Sequence, residues 1–548
     1  MSTAEYGNSS PNGYSLLIKN MFFAPIAYDP KQEIVYKGGF RMSYATFRER
    51  VGRLASVLIA LGVKQGDTVA VMDWDSHRYL ECYYAIPMIG AVLHTINVRL
   101  SAEQLVYTID HAEDKVVLVN SEMLPILEGI KGRIDTVQKF VLIDEGSGSP
   151  ETQLRFAGEY EKLLAAATPL TEYPELDEDS RATTFYTTGT TGLPKGVYFS
   201  HRQLVLHTIT STAQLASNHV EGNFHREDVY MPLTPMFHVH AWGIPYIATF
   251  LGVKQVYPGK YVPAALLRLI AEEKVTFSHC VPTILAMLLK DQSSAQYDLS
   301  RWKCVIGGAA LPKAICAEGL RRGIDVFAGY GMSETCPVAA LTSLSSKELR
   351  LGPEEQVALR VRTGRPIGLV QSRIVDQQGQ SVVADDKSTG EIQVRAPWLT
   401  RGYHKDKVNS EKLWAEGWLH TQDVSAVDGT GSLRITDRLK DVIKIGGEWV
   451  SSLEIEDIIA IHPAVAEAAV VGSADNKWGE IPLGLVVLKK DQDVSEHRMI
   501  EHVKGYIDRG VLPREAVLLK VKFVESIEKT GVGKVNKLIL REKYAEKP

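Results

Sequence analysis

Three uninterrupted apolar runs in the first third of the chain constrain its fold most. They are Thr68-Val69-Ala70-Val71-Met72, Lys115-Val116-Val117-Leu118-Val119 and Phe140-Val141-Leu142-Ile143. A strand with one wet face alternates apolar and polar residues. A run without alternation is covered on both faces, as in a parallel sheet. Helical spacings separate the runs. Phe47, Val51, Leu54, Ala55 and Leu58 recur at helical intervals before Gly62, and residues 80–88 read as a helix stopped at Gly90. This alternation predicts α/β layering with parallel strands.

Length divides the chain further. At 548 residues it exceeds one compact core and predicts two to four domains. Between Gly364 and Asp437 the pattern changes to short alternating strands, such as Gly390-Glu391-Ile392-Gln393-Val394-Arg395, which predict a small, more antiparallel β region. The charged stretch Asp437-Arg438-Leu439-Lys440-Asp441 reads as a hinge, followed by about a hundred residues with their own strands and helices. The expected architecture is α/β. A large N-terminal domain (1–437) of layered α/β subdomains plus a β region precedes a small, mobile α+β C-terminal domain (438–548).

Composition excludes several classes of function. A net charge of −5 offers no basic stripe for nucleic acid. The five cysteines, Cys82, Cys280, Cys304, Cys316 and Cys336, include no C-x-x-C pair, which argues against zinc and a disulfide framework and fits a reducing compartment. Residues 1–14 lack the basic-then-apolar pattern of a signal peptide, and the apolar stretch 241–253 is too short and too broken by Gly and Pro to span a bilayer. The last four residues form no peroxisomal address. The expectation is a cytoplasmic protein.

The chemistry is concentrated in residues 186–196, Tyr-Thr-Thr-Gly-Thr-Thr-Gly-Leu-Pro-Lys-Gly. Glycines bring backbone N–H groups close to a ligand, and Thr hydroxyls and a Lys ammonium add donors, so the segment suits an anion such as a triphosphate. It is not a Walker A loop, because Pro194 precedes Lys195 and Gly196 follows it. A second Gly/Lys loop, Lys529-Thr530-Gly531-Val532-Gly533-Lys534, lies near the C-terminus. Between the two loops come Pro235-Met236-Phe237-His238, Gly307-Gly308-Ala309-Ala310, Tyr330-Gly331-Met332-Ser333-Glu334-Thr335, Thr421-Gln422-Asp423 and the 437–441 cluster.

This ordered set resembles the acyl-adenylate-forming superfamily over nearly the whole chain, and its acyl-CoA synthetase branch in particular. One position departs: Glu528 stands where the family usually has Pro. The resemblance implies two steps. A carboxylate attacks the α-phosphate of Mg-ATP to give an acyl-adenylate and pyrophosphate; a thiol, that of CoA, then takes the acyl group and AMP leaves. Residues 1–437 would be the AMP-binding domain. Lys534 would bridge the carboxylate and the phosphates, while Thr187 and Glu334 would contact Mg2+, an ion suited to hard oxygen ligands. These three are the expected catalytic residues.

The nucleotide contacts so implied are Thr187, Thr188, Gly189, Thr190, Thr191, Gly192 and Lys195, then Gly307, Gly308 and Ala309 closing over adenine. Gly329, Tyr330, Gly331, Ser333 and Thr335 follow, with Tyr330 stacking on the base and Thr335 hydrogen-bonding the α-phosphate. Asp423 would take the ribose hydroxyls, supported by Arg438, with Lys440 and Lys444 completing the set. Lys440 matches the family's hinge. About it the C-terminal domain would rotate, bringing Gly446, Gly447, Glu448 and Trp449 to line a path for CoA.

The acyl pocket is expected around His238, Val239, Trp242 and Gly331. Gly331 stands where acetate-activating relatives place Trp, so it leaves room for a longer or aromatic acid. The segment from Pro235 to Gly243 most resembles medium- and long-chain fatty acyl-CoA ligases, with Trp242 either a tunnel gate or a core residue. Smaller, branched, aromatic or sulfur-containing acids remain alternatives. A stand-alone adenylation domain and a non-catalytic nucleotide-binding protein are the rival classes. Relatives in this superfamily are often homodimers, and the other expected partners are small molecules.

Overall fold

Seven strands form the first sheet, in the order Phe156–Glu159, Lys139–Ile143, Asp114–Asn120, Thr68–Met72, Val92–Thr95, Arg181–Thr187 and Lys195–Ser200. Every pairing is parallel except the last, a hairpin. The computed structural model describes residues 14–146, 152–187, 193–217, 222–446, 448–529 and 535–546. All five residues of Thr68–Met72 are buried, the reason the run shows no alternation. The helix Tyr44–Ala60 starts at Ser43, whose hydroxyl accepts from Thr46 N at 3.1 Å, and it buries the five periodic residues. Gly62 follows with φ +87°, a conformation that costs glycine little. The helix His77–Met88 is buried at every position but Arg78, so it is a layer between sheets rather than a surface cover.

A second sheet of nine strands lies beside the first. Its parallel centre runs through Glu33–Tyr36, Lys254–Tyr257, Val229–Tyr230, Phe277–Cys280, Lys303–Ile306 and Asp325–Gly331. The N-terminal hairpin Glu33–Tyr36 with Phe40–Ser43 thus pairs with strands more than two hundred residues away. Asp325–Gly331 then continues antiparallel into Val338–Leu341.

The expected β region is an antiparallel five-stranded sheet made from Gln371–Val375, Gly390–Arg395, Trp414–Ala415, Trp418–Val427 and Leu433–Arg438. The smaller C-terminal domain has its own five-stranded sheet and helices, and its apolar clusters draw only on residues from Ile443 onward. It packs on the large domain through polar contacts. Ser452 N and Oγ each donate to Asp437 Oδ2 at 2.6 Å and Arg434 pairs with Glu454 at 2.6 Å, while within the small domain Lys537 reaches Ser452 and Glu456. Asp437 and Asp441 of the charged cluster are buried, so its two ends are structural while Arg438 and Lys440 stay exposed. Among the described residues no helix is long and apolar enough to cross a membrane.

Candidate functional site

The phosphate-loop segment is a hairpin connection. Thr187 ends one strand, Lys195 begins the next, and the two are paired in register. A strand, not a helix, therefore follows the Gly/Thr stretch, in keeping with its difference from a Walker A loop. Thr188, Gly189, Thr190, Thr191 and Gly192 lie outside the described residues, as do Lys534 and Gly447.

Glu334 sits in the turn Ser333–Thr335 after the strand Asp325–Gly331, with its carboxylate buried. Tyr403 donates its hydroxyl to Glu334 Oε1 at 2.7 Å. Burial raises the Glu334 pKa, while the Tyr403 hydrogen bond and the charges of Arg438 and Lys195 pull it down. Those two cations therefore face the same carboxylate. Lys195 Nζ lies 4.8 Å from the centroid of the Tyr403 ring.

At the other end of the turn, Tyr330 donates to Asp423 Oδ2 at 2.8 Å and Arg438 Nε lies 3.2 Å from Asp423 Oδ1. Asp423 and Arg438 are opposite each other on neighbouring strands, which holds the pair in place. The structure thus brings together Tyr330, Glu334, Asp423, Arg438 and Lys195 from four separate parts of the chain. Gly307 is buried at the end of Lys303–Ile306, Gly308 has φ +74°, and Ala309 is exposed. A Cβ at Gly307 would lie 3.0 Å from Gly329 O and 3.1 Å from the Trp242 ring, so adenine loop and Trp242 are neighbours. Ser333 is half-buried beside Glu334.

Two of the expected site residues have a local structural role. Thr335 is fully buried, its hydroxyl bonded to Met332 N at 2.9 Å and to Pro337 O. Here it shapes the turn. At Gly331 a Cβ would overlap the Pro337 carbonyl. The missing side chain accommodates a neighbouring backbone.

The segment after Pro235 is strained. Val239, His240, Ala241 and Trp242 all have positive φ, between +46° and +58°, and form one left-handed turn closed by Gly243. Each such residue costs about 1–2 kcal/mol, and strain of this kind collects at functional sites where surroundings over-determine it. The surroundings come from the first sheet and its covering helix. Asp75 Oδ1 accepts from Met236 N at 2.8 Å, Tyr83 donates to Met236 O, Thr95 Oγ1 donates to Phe237 O at 2.9 Å, and Thr183 Oγ1 meets His240 Nε2 at 2.6 Å. Trp242, 7% exposed, stands 5.1 Å from the His279 ring. His238 is half-buried and Val239 fully buried. Burial pushes the pKa of His207, His240 and His279 down to about 3, so all three are neutral.

In the C-terminal domain Lys444 is exposed and its N–H donates to Glu480 Oε2 at 2.9 Å. Gly446 has φ +60° and Trp449 pairs with Lys444 across a hairpin whose second strand begins at Glu448. Lys440 is exposed, and desolvation draws its pKa down.

Sequence reasoning missed Tyr403, His207 and His279. Tyr403 follows a Gly in Arg401-Gly402-Tyr403 with no local sign of the carboxylate it meets 69 residues away.

The AMP-binding enzyme family matches residues 23–404, and the C-terminal domain of AMP-binding enzymes matches residues 454–534. The chain belongs to the AMP-binding enzymes. A long-chain-fatty-acid–CoA ligase of Thermus thermophilus is 41% identical over 92% of this chain and 90% of its own length. A 3-methylmercaptopropionyl-CoA ligase of Ruegeria pomeroyi is 37% identical over 92% of each. The fold is that of the crystal structure of an anthranilate CoA ligase in complex with anthranoyl-AMP, at a TM-score of 0.83 with 23% identity over 98% of both chains. As an AMP-binding enzyme of the acyl-adenylate-forming superfamily, the protein is an ATP-dependent acyl-CoA ligase.

Proposed function

We propose that the protein activates a medium- or long-chain fatty acid as its acyl-adenylate and passes the acyl group to CoA. The observation that carries this reading is the setting of Trp242. It is an apolar plate against the adenine loop, beside His279, which burial keeps neutral, and it offers no charge to a polar acyl group. The identity to the long-chain ligase supports the same choice.

In the first step the carboxylate oxygen attacks the α-phosphorus and pyrophosphate leaves. Positioning and charge neutralisation do most of the work in such a transfer. Asp423 and Arg438 hold the ribose, Tyr330 the base, and Lys195 the phosphates, with Lys534 bridging carboxylate and phosphate. Glu334 and Thr187 fit Mg2+. Among the described residues no cluster of three or more His, Cys, Asp or Glu side chains could hold a metal, in keeping with an ion that takes much of its coordination from substrate phosphates and water. When bound, Mg2+ would neutralise developing charge on the phosphate oxygens.

In the second step the CoA thiolate attacks the acyl carbon and AMP leaves. The C-terminal domain, beginning near residue 438, turns about Lys440 between the steps. Gly446, Gly447, Glu448 and Trp449 then line the thiol's approach.

The test is pyrophosphate release and CoA-dependent AMP formation with acetate, octanoate, palmitate, 3-methylmercaptopropionate, an aromatic acid and an amino acid. Octanoate or palmitate should lead. Preference for acetate or the amino acid overturns the fatty-acid reading, and preference for 3-methylmercaptopropionate selects the small sulfur acid of the Ruegeria relative instead.

A further inference from the structure

Residues 398–405 cross between the two halves of the candidate phosphate site and are tied to both. On the side of the turn Ser333–Thr335, Trp398 Nε1 donates to Thr335 O at 3.0 Å and Thr400 N donates to Glu334 O at 2.9 Å. On the side of the hairpin, Thr400 Oγ1 donates to Tyr198 O at 3.0 Å and His404 N donates to Gly196 O at 2.7 Å. Tyr403 is bridged by backbone to Val197, and its N–H donates to Ser410 Oγ at 2.8 Å. The backbone at Tyr403 is therefore held on both sides before its side chain makes any contact.

Its side chain then does two things at once. The hydroxyl donates to Glu334 Oε1 at 2.7 Å, and the ring carries the Lys195 ammonium 4.8 Å from its centroid. Lys195 adjoins the phosphate loop, while Glu334 comes from the other sheet.

We propose that Tyr403 is the positioning residue of the Mg-ATP site: its hydroxyl aims the Glu334 carboxylate at the metal, and its ring holds Lys195 toward the phosphates. This rests on the reading of Glu334 and Lys195 as Mg-ATP contacts. Tyr403 contacts Glu334 and Lys195, so its effect is expected on nucleotide and metal binding.

Tyr403→Phe keeps the ring and removes the hydroxyl; Tyr403→Leu removes both. ATP binding to the full chain is followed by calorimetry across a Mg2+ titration and again with the metal chelated. Tyr403→Phe should raise the half-saturating Mg2+ about tenfold, the worth of one hydrogen bond to a charged group. It should leave metal-free ATP affinity within about twofold. Tyr403→Leu should further weaken metal-free ATP binding about three- to fivefold, through loss of the cation–π contact. Thioesterification of a supplied acyl-adenylate should be unchanged in both variants.

An unchanged Mg2+ half-saturation in Tyr403→Phe overturns the proposal. So does a parallel loss of ATP binding with and without Mg2+ alongside lost thioesterification, which marks a purely structural role. Because binding is read without any acid, failure to find an acyl substrate would sink the proposed function and leave this result standing.

Discussion

Replacing Asp423 with Ala tests the nucleotide site most sharply. Asp423 is buried, and its two oxygens face Tyr330 at 2.8 Å and Arg438 at 3.2 Å. Each carboxylate oxygen has two lone pairs, so each can hold its present partner and still accept from a ribose hydroxyl. A hydrogen bond to a charged group contributes about 1.5–3 kcal/mol, or roughly tenfold to 150-fold in affinity. Losing both ribose bonds in Asp423→Ala should lower kcat/KM for ATP by about 10²- to 10⁴-fold. The cost in stability is smaller. Half-exposed Arg438 loses a pair worth under about 1 kcal/mol, and the Tyr330 hydroxyl loses its partner at about 1–2 kcal/mol.

Deoxynucleotides separate these effects. The assay is pyrophosphate release with ATP, 2′-deoxy-ATP and 3′-deoxy-ATP. The parent protein should lose at least about tenfold in kcat/KM with each deoxynucleotide, because Asp423 then lacks a donor. The variant should discriminate by less than about twofold. If the parent uses the deoxynucleotides as well as ATP, or the variant keeps the parent's discrimination, Asp423 does not hold the ribose.

If Lys534 serves only the first step, as proposed, Lys534→Ala should abolish adenylate formation yet spare thioester formation from a supplied acyl-adenylate; equal loss in both half-reactions refutes that division. Gly331→Ala drives a Cβ into the Pro337 carbonyl and should lower stability by about 1–3 kcal/mol, seen in the urea midpoint. It should also raise KM for ATP through the adjacent Tyr330. Burial lifts the Asp75 pKa to about 7 from the usual 3.8, so the folded state holds this proton more tightly than the unfolded one. Its contribution therefore falls as pH rises from about 4 to about 7 and is flat above. Asp75→Asn should gain stability relative to the parent across that window, by up to about 1.4 kcal/mol per pH unit, and no gain in parallel urea titrations would refute the shift.

Much of this was legible in residues. Thr68–Met72 and Gly390–Arg395 form the expected strands, because burial on two faces or between antiparallel neighbours leaves its mark on consecutive positions. The motif order was readable because Tyr330, Glu334, Asp423 and Arg438 each carry a chemistry their site requires. Thr335 and Gly331 have local roles that their motifs do not announce. A hydroxyl in a phosphate-site motif and a glycine beside a pocket look functional, yet here Pro337 sits against both, a neighbour that only the folded turn supplies. Tyr403 shows the converse, a contact with Glu334 that no local pattern announces.

By itself the sequence determined the layered α/β class, the antiparallel region before the charged stretch, the adenylating chemistry and the order of its parts. The fold class follows from local burial patterns, and the adenylating chemistry from the resemblance of the ordered motifs to the acyl-adenylate-forming superfamily. The tertiary structure alone decided that the hairpin at Glu33–Tyr36 completes the second sheet, and that Trp242 stands against Gly307 on a left-handed turn. It also decided that Tyr403 joins Glu334 to Lys195. Each depends on groups far apart along the chain whose meeting costs loop entropy and is repaid only by the assembled core, so no window of neighbouring residues records it.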